Sequence, residues 1–205
     1  FVLQATLFGL AMGASALVAR NIGANDHVKA GQTSQSAMLL GFVVSVLMGA
    51  ICYMLAPFMT IWFGLEGDAN ELAINLIRWV CVFNPIYSLN IVLTTTMRAT
   101  GDAINPLMLA IISGIGNGVG CYALSHGALG LPAMGPEGLA VGGVAGSLIA
   151  LLVYSIMWRL DKLKVPYPNI SQLRVKTNKL LRIGVPSALE QSLMQIGFLV
   201  YMMAI

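Results

Sequence analysis

The sequence predicts an all-α fold, a polytopic membrane helix bundle with six transmembrane helices. Three observations predict it. Of the 205 residues 58% are apolar and only 9% are charged, against about 25% charged in an ordinary soluble domain. Six stretches are long and apolar enough to cross a bilayer, which needs roughly 20 residues each. Nearly all the charges fall between those stretches, with opposite signs at alternate ends.

The spans are read at Phe1–Ala19, Thr33–Pro57, Leu72–Thr96, Pro106–Gly130, Gly138–Trp158 and Ile183–Ile205. Ten of the eleven basic residues mark alternate connections: Arg20 and Lys29, then Arg98, then seven between Arg159 and Arg182. The other connections carry Glu66, Asp68, Glu71 and Glu137 and no Lys or Arg. Basic loops stay on the cytoplasmic side, so Phe1 is expected on the outer side. The basic clusters are short and lack interleaved aromatics, which argues for an orientation signal and against nucleic-acid binding.

The first span, Phe1–Ala19, has no basic leader and no small-residue cleavage site, so it is not read as a signal peptide. It starts abruptly, and the last span stops at Ile205. At least one helix before Phe1 and more after Ile205 are expected. Within the first span Gly9 and Gly13 form a GxxxG pair; Gly116 and Gly120 form another, and Gly138, Gly142 and Gly146 two in succession. Lipid gives no hydrophobic drive between helices, so close backbone approach at small residues supplies attraction. Helix packing is the plain reading of these glycines, and a glycine-lined cavity the sharper one. The Gly130–Gly146 region has no phosphate-loop pattern, since no Lys follows its glycines.

The second span ends near Trp62, the third carries Trp79 in its outer third, and Trp158 closes the fifth. Indoles favour the headgroup interface. The third span holds Asn84, Pro85 and Tyr87 at its middle and Asn90 six residues beyond Asn84. Pro85 removes a backbone hydrogen bond and should kink the helix. Such breaks are where transporters build sites. Six residues is roughly one and two-thirds turns, so Asn84 and Asn90 are expected to face different ways, one of them toward a cavity.

A tight cytoplasmic turn follows, Arg98-Ala-Thr-Gly101-Asp102. Gly101 permits it. Asp102 is suited to cap the helix opening at Asn105-Pro106, and Arg98 anchors the preceding helix end. The turn reads as a structural or gating element. In the fourth span Asn117 stands between Gly116 and Gly118, either facing a small cavity or bonding to a neighbouring helix.

The segment Arg159–Arg182 contains Pro166 and Pro168, which break any helix, and Ser171, which could open a new one. It reads as a hinge. The last span carries Glu190, four residues after Pro186 and about two turns into the membrane. A carboxylate there must be paired, hydrated or protonated. It could exchange a proton or hold Na⁺; the plainer reading sets it near the headgroups beside Arg182.

Cys52, Cys81 and Cys121 lie within spans and lack metal-ligand spacing, so no metal site is expected. His27 and His126 have no catalytic partner in the sequence. Without a nucleophile, zinc or paired-carboxylate constellation, an enzyme is disfavoured.

The order of motifs resembles the multidrug-and-toxin-extrusion (MATE) family. The run Gly13-Ala-Ser-Ala-Leu-Val-Ala-Arg20-Asn-Ile-Gly23-Ala24 is similar to the family's second helix and its Gly-Ala turn. Asn84-Pro85, then Met97-Arg98-Ala-Thr-Gly101-Asp102 and Pro106, resemble its fourth helix and the following turn. Gly138–Ser147 resembles the sixth helix, and Ile183-Gly-Val-Pro186 the start of the seventh. The resemblance implies helices two to seven of twelve, in two lobes. Residues 1–158 would be most of the N-terminal lobe, 159–182 the interlobe linker and 183–205 the first helix of the C-terminal lobe. It also implies a multi-pass protein of the cell (inner) membrane, monomeric when complete. Such a protein exports a small organic, often cationic, substrate in exchange for H⁺ or Na⁺ and needs no other cofactor. Where many members place an acidic residue four positions after an Asn in helix five, this chain has Asn117 and Cys121. Glu190 lies about a turn before the helix-seven acid of some members. The resemblance carries over Asn117, with Glu190 as a substitute for the helix-seven acid; Asn84, Tyr87 and Asn90, read from the proline break, complete the expected substrate and ion site. Other readings are a lipid-linked precursor flippase of the same superfamily, and a non-transporting scaffold or truncated remnant.

Overall fold

A computed structural model describes residues 2–62, 64, 66–127, 130, 133–160 and 177–203. Six helices follow one another, with no strand among the described residues: α1 (Val2–Gly23), α2 (His27–Trp62), α3 (Asp68–Ala99), α4 (Ile104–His126), α5 (Glu137–Arg159) and α6 (Thr177–Met203). Five are long and apolar enough to cross a membrane. The exception is α6, whose early turns carry Lys179 and Arg182 and whose middle carries Glu190, Gln191, Ser192 and Gln195.

The helices outrun the apolar stretches. The broad connection expected between Ala19 and Thr33 shrinks to a turn at Ala24–Asp26, because polar residues such as His27, Lys29 and Gln32 are compatible with helix once Asp26 caps it. Lys29 N–H donates to Asp26 Oδ1 at 3.0 Å, the bond expected of an N-cap carboxylate. Asn25 takes the left-handed conformation, φ 58°, which Asn tolerates better than most residues. The fourth span ends sooner than expected, at His126, where Gly127 turns the chain with φ 71°. The last helix begins six residues before the expected Ile183. Pro166, Pro168 and Ser171 lie outside the described residues.

The chain forms two compact units. Unit one takes the described residues within Phe1–Val44, Ser88–Pro106 and Ser155–Ile205. Its core packs Ala11 and Ala14 of α1, Ala37 of α2, Ile91 and Val92 of α3, and Leu180 of α6. Within it α1 and α6 meet through small residues. A Cβ on Gly9 would strike the Ala188 backbone, and one on Gly13 the Gly184 backbone. The GxxxG pair of α1 thus seats on a Gly-x-x-x-Ala pair of α6, running antiparallel. Buried hydroxyls add polar glue, as where Ser34 donates to Thr96 across α2 and α3 at 3.1 Å.

Unit two takes Ser45–Tyr87 and Leu107–Tyr154. Its α4 and α5 form a second glycine seam. A Cβ on Gly116 would lie 2.8 Å from the Gly146 Cα, and one on Gly120 would lie 2.6 Å from the Gly142 carbonyl. The opposite face of α4 exposes Leu107, Ile111, Ile115, Val119 and Tyr122, a stripe at helical spacing suited to lipid. Pro85 has no N–H, so the Cys81 carbonyl one turn earlier loses its helical partner. Gly49 of α2 lies against that carbonyl, and a Cβ there would approach it to 2.9 Å.

Candidate functional site

The polar residues singled out by the sequence take distinct positions. Asn84 is buried in unit two, and its Nδ2 donates to the Ser45 carbonyl of α2 at 3.5 Å. It therefore spans two helices at the proline break. Tyr87 is exposed. Asn90, in unit one, accepts a bond from Thr94 at 3.3 Å, while its Nδ2 is buried without a partner.

Asn117 serves the glycine seam. Its Oδ1 accepts the Gly146 N–H of α5 at 3.0 Å. The bond is possible only because Gly116, Gly120, Gly142 and Gly146 let the two backbones approach. This is the interhelical hydrogen bond, one of the two readings open in the sequence. Cys121, at the position where an acid was absent, lies 3.4 Å from the Leu139 carbonyl.

The Arg98–Asp102 turn forms as expected. Gly101 adopts φ 78°. Asp102 Oδ1 accepts the Asn105 N–H at 3.2 Å, and its Oδ2 accepts the Asn105 side-chain amide at 2.7 Å. Asp102 thus caps α4. Among the described residues no ion pair joins it to Arg98; the one ion pair there is Lys29–Asp26.

Glu190 is exposed on α6, two residues past Ala188. Two residues turn the helix through about 200°, so Glu190 faces away from the α1 seam. It stands 13 residues beyond Thr177, about 20 Å along the helix at 1.5 Å per residue. Among the described residues the other carboxylates all sit in a connection or a first turn. No hydrogen bond among the described residues joins any two of these site candidates, apart from the Gly101 N–H to Arg98 carbonyl bond within the turn.

Three features escaped sequence reasoning. Glu137, in the first turn of α5, accepts from Asn75 Nδ2 at 3.1 Å and Trp79 Nε1 at 3.2 Å, tying α5 to α3. Trp79 also stacks on Phe83, with ring centroids 5.8 Å apart. An interfacial indole 58 positions from a lone carboxylate gives no local signal. Second, Arg78 lays its guanidinium over the Tyr53 ring, 5.1 Å from the centroid, with Nε buried and unpaired. Its signal was present, since it is the one basic residue inside an apolar stretch.

Third, unit one holds a cavity of about 380 Å³ beneath the α1–α2 turn. Arg20, Asn21, Asp26, Lys29 and Thr33 form its polar wall, and Leu17 and Leu180 its apolar wall. Lys29 bonds Asp26 through side chain and backbone, and these bonds hold the Asp26 carboxyl below the usual carboxylate range. Among the described residues no three His, Cys, Asp or Glu side chains could together hold a metal ion.

Comparison with known proteins agrees with the bundle. The profile of the MatE family matches residues 1–123. The chain is 26% identical over 207 residues to the probable multidrug resistance protein NorM of Thermotoga maritima, covering 98% of this chain and 44% of that protein. It is also 26% identical over 194 residues to a FAD transporter of Shewanella oneidensis, covering 92% of this chain and 42% of that one. A solved transporter of the MOP superfamily from Pyrococcus furiosus superposes with TM-score 0.85 at 22% identity, over 97% of this chain and 44% of that structure. The chain thus spans less than half the length of these proteins.

Proposed function

The chain belongs to the MatE family, and on that premise we propose that the complete protein is a secondary antiporter of the cell (inner) membrane. It would export organic, mainly cationic, compounds in exchange for H⁺ or Na⁺. The observation that supports the coupling is Glu190, an exposed carboxylate midway along α6. A carboxylate in that setting can bind a cation or proton on one side and release it on the other, and intramembrane acids are costly enough to mark ion pathways. The multidrug relative supports the substrate class.

In this reading residues 1–158 form most of one lobe, 159–182 link it to the next, and α6 opens the second. The lobes rock about the 159–182 linker, while the Asn84–Pro85 break and the capped Arg98–Asp102 turn shape α3 within the first lobe. Asn84, Tyr87, Asn90 and Asn117 supply neutral polar groups, of which Asn117 is already committed to the α4–α5 seam. The protein acts as a monomer, and the ion gradient, not a bound cofactor, supplies the energy.

A lipid-linked precursor flippase would call for a strongly basic central cavity. Among the described residues Arg78 is the one basic side chain in the body of a span, which disfavours that reading. Transport by the complete protein in energised everted vesicles tests the proposal. Organic cations should release lumenal protons or show Na⁺ dependence, and Glu190→Gln should abolish the response. No response from folded, inserted protein would move the reading to lipid-linked substrates or a scaffold.

A further inference from the structure

The cavity beneath the α1–α2 turn has a composition that the transport reading does not use. We propose that it is a phosphate-ester site, filled by the headgroup of an anionic phospholipid of the cytoplasmic leaflet or by a soluble phosphate compound.

Its charges are sorted. Asp26 is neutralised within the cavity by Lys29, at 2.5 Å. That leaves Arg20, in the last turn of α1, with no carboxylate partner among the described residues. The lining carries Arg20 and Lys29 against one Asp26, so the net charge of these three is positive. A guanidinium matches phosphate oxygens in bidentate geometry. Asn21 is held on the same wall, its Nδ2 bonded to Thr33 Oγ1 at 3.0 Å and to the Lys29 carbonyl at 3.4 Å.

The rest of the wall suits an amphiphile. Leu180 is a core residue of unit one and Leu17 packs against that core, so the cavity runs from a charged rim to an apolar floor. A phosphate at Arg20 would leave a glycerol or acyl segment along Leu17 and Leu180. Position agrees, because the basic connections mark this end as cytoplasmic. Basic pockets between helices on that side are suited to anionic headgroups. The inference rests on the chain being a membrane protein and not on its coupling ion.

Native mass spectrometry of the full-length protein from nanodiscs tests it, with phosphatidylcholine alone or mixed with phosphatidylglycerol. Phosphatidylglycerol should be retained. Arg20→Gln should weaken its retention roughly five-fold, the worth of about one interfacial basic residue. Asp26→Asn, which removes the competing carboxylate, should strengthen it. Arg159→Gln, an equal charge change outside the cavity, should leave it unaltered. Inorganic phosphate added to the protein in neutral detergent separates the two sources. Phosphate binding with the same order of variants, and no preference for phosphatidylglycerol, assigns a soluble phosphate compound. If Arg20→Gln fails to fold, the Asp26→Asn gain decides. Neither phosphatidylglycerol nor phosphate responding to Arg20→Gln or Asp26→Asn overturns the proposal.

Discussion

Replacing Gly146 by Ala tests the α4–α5 seam most sharply. A Cβ at this position would fall on the Ser113 carbonyl and lie 2.6 Å from both Asn117 N and Asn117 Oδ1. An ordinary contact begins near 3.4 Å, so the helices must part by about 0.8 Å at least, and further to clear Ser113. The Gly146 N–H to Asn117 bond would lengthen from 3.0 Å to about 3.8 Å, beyond hydrogen-bonding distance. An interhelical hydrogen bond in a membrane is worth about 0.6–2 kcal/mol, and overpacking costs about 1–3 kcal/mol. The expected destabilisation of Gly146→Ala is therefore about 1.6–5 kcal/mol. Asn117→Ala removes the bond alone and should cost about 1 kcal/mol. Gly143, on the same helix, has nothing near a Cβ, so Gly143→Ala should be neutral or slightly stabilising. Reversible unfolding of the full-length protein in mixed micelles reads all three. A Gly146→Ala variant within about 0.5 kcal/mol of wild type, the range of an inert surface change, would refute the close approach, as would equal losses for Gly146→Ala and Gly143→Ala.

Other consequences are checkable in the same protein. Gly9→Ala should push α6 off α1, since its Cβ meets the Ala188 backbone; the unfolding midpoint should fall, by about 1–3 kcal/mol of stability, and a cysteine pair bridging the two helices should crosslink less efficiently. Glu137→Ala should cost about 1.5–3 kcal/mol for the lost charged hydrogen bonds, and a double-mutant cycle with Trp79→Phe should return a coupling energy clearly above zero. Asp26 should titrate below the ordinary Asp value of 3.8 in a carboxyl carbon NMR titration, and Lys29→Gln should bring it back up. Because the folded value is lowered, the stabilisation from the Asp26 cap is present at neutral pH and is lost as pH falls through that lowered value.

The bundle was legible because membrane helices announce themselves locally. A run of apolar residues and the charges at its ends are properties of one segment, and they located the helices, although among the described residues the last, α6, is not apolar enough to count as a span as the other five do. Helix ends were less legible. His27–Gln32 read as a loop by polarity, yet one capping carboxylate at Asp26 makes it helix. The glycine seams were visible as spacings, but only the fold pairs Gly9 with Ala188 and Gly116 with Gly146. Asn117 stood out as an amide flanked by glycines, and its partner on α5 lay 29 positions away, beyond any sequence pattern. Glu137 was noted only as a charge in an outer connection, because its bonds to Asn75 and Trp79 depend on where α3 passes. The cavity at Arg20 depends on three helices meeting, and its residues looked like an orientation signal alone.

These features divide the labour within the chain. The glycine seams and the Asn117 and Glu137 bonds fix helices against one another inside each unit. The buried Ser34–Thr96 pair and the capped Asp102 turn hold the C-terminal end of α3. Glu190 is left on an exposed face of α6, away from α1.

The most direct measurement is substrate-driven ion movement by the complete protein in proteoliposomes, comparing wild type with Glu190→Gln and Glu190→Asp. A trapped pH dye, read with and without Na⁺, follows coupling while a fluorescent organic cation reports transport. The account predicts coupled movement in wild type, none in Glu190→Gln despite normal insertion, and partial recovery in Glu190→Asp. Unchanged coupled transport in Glu190→Gln would contradict it.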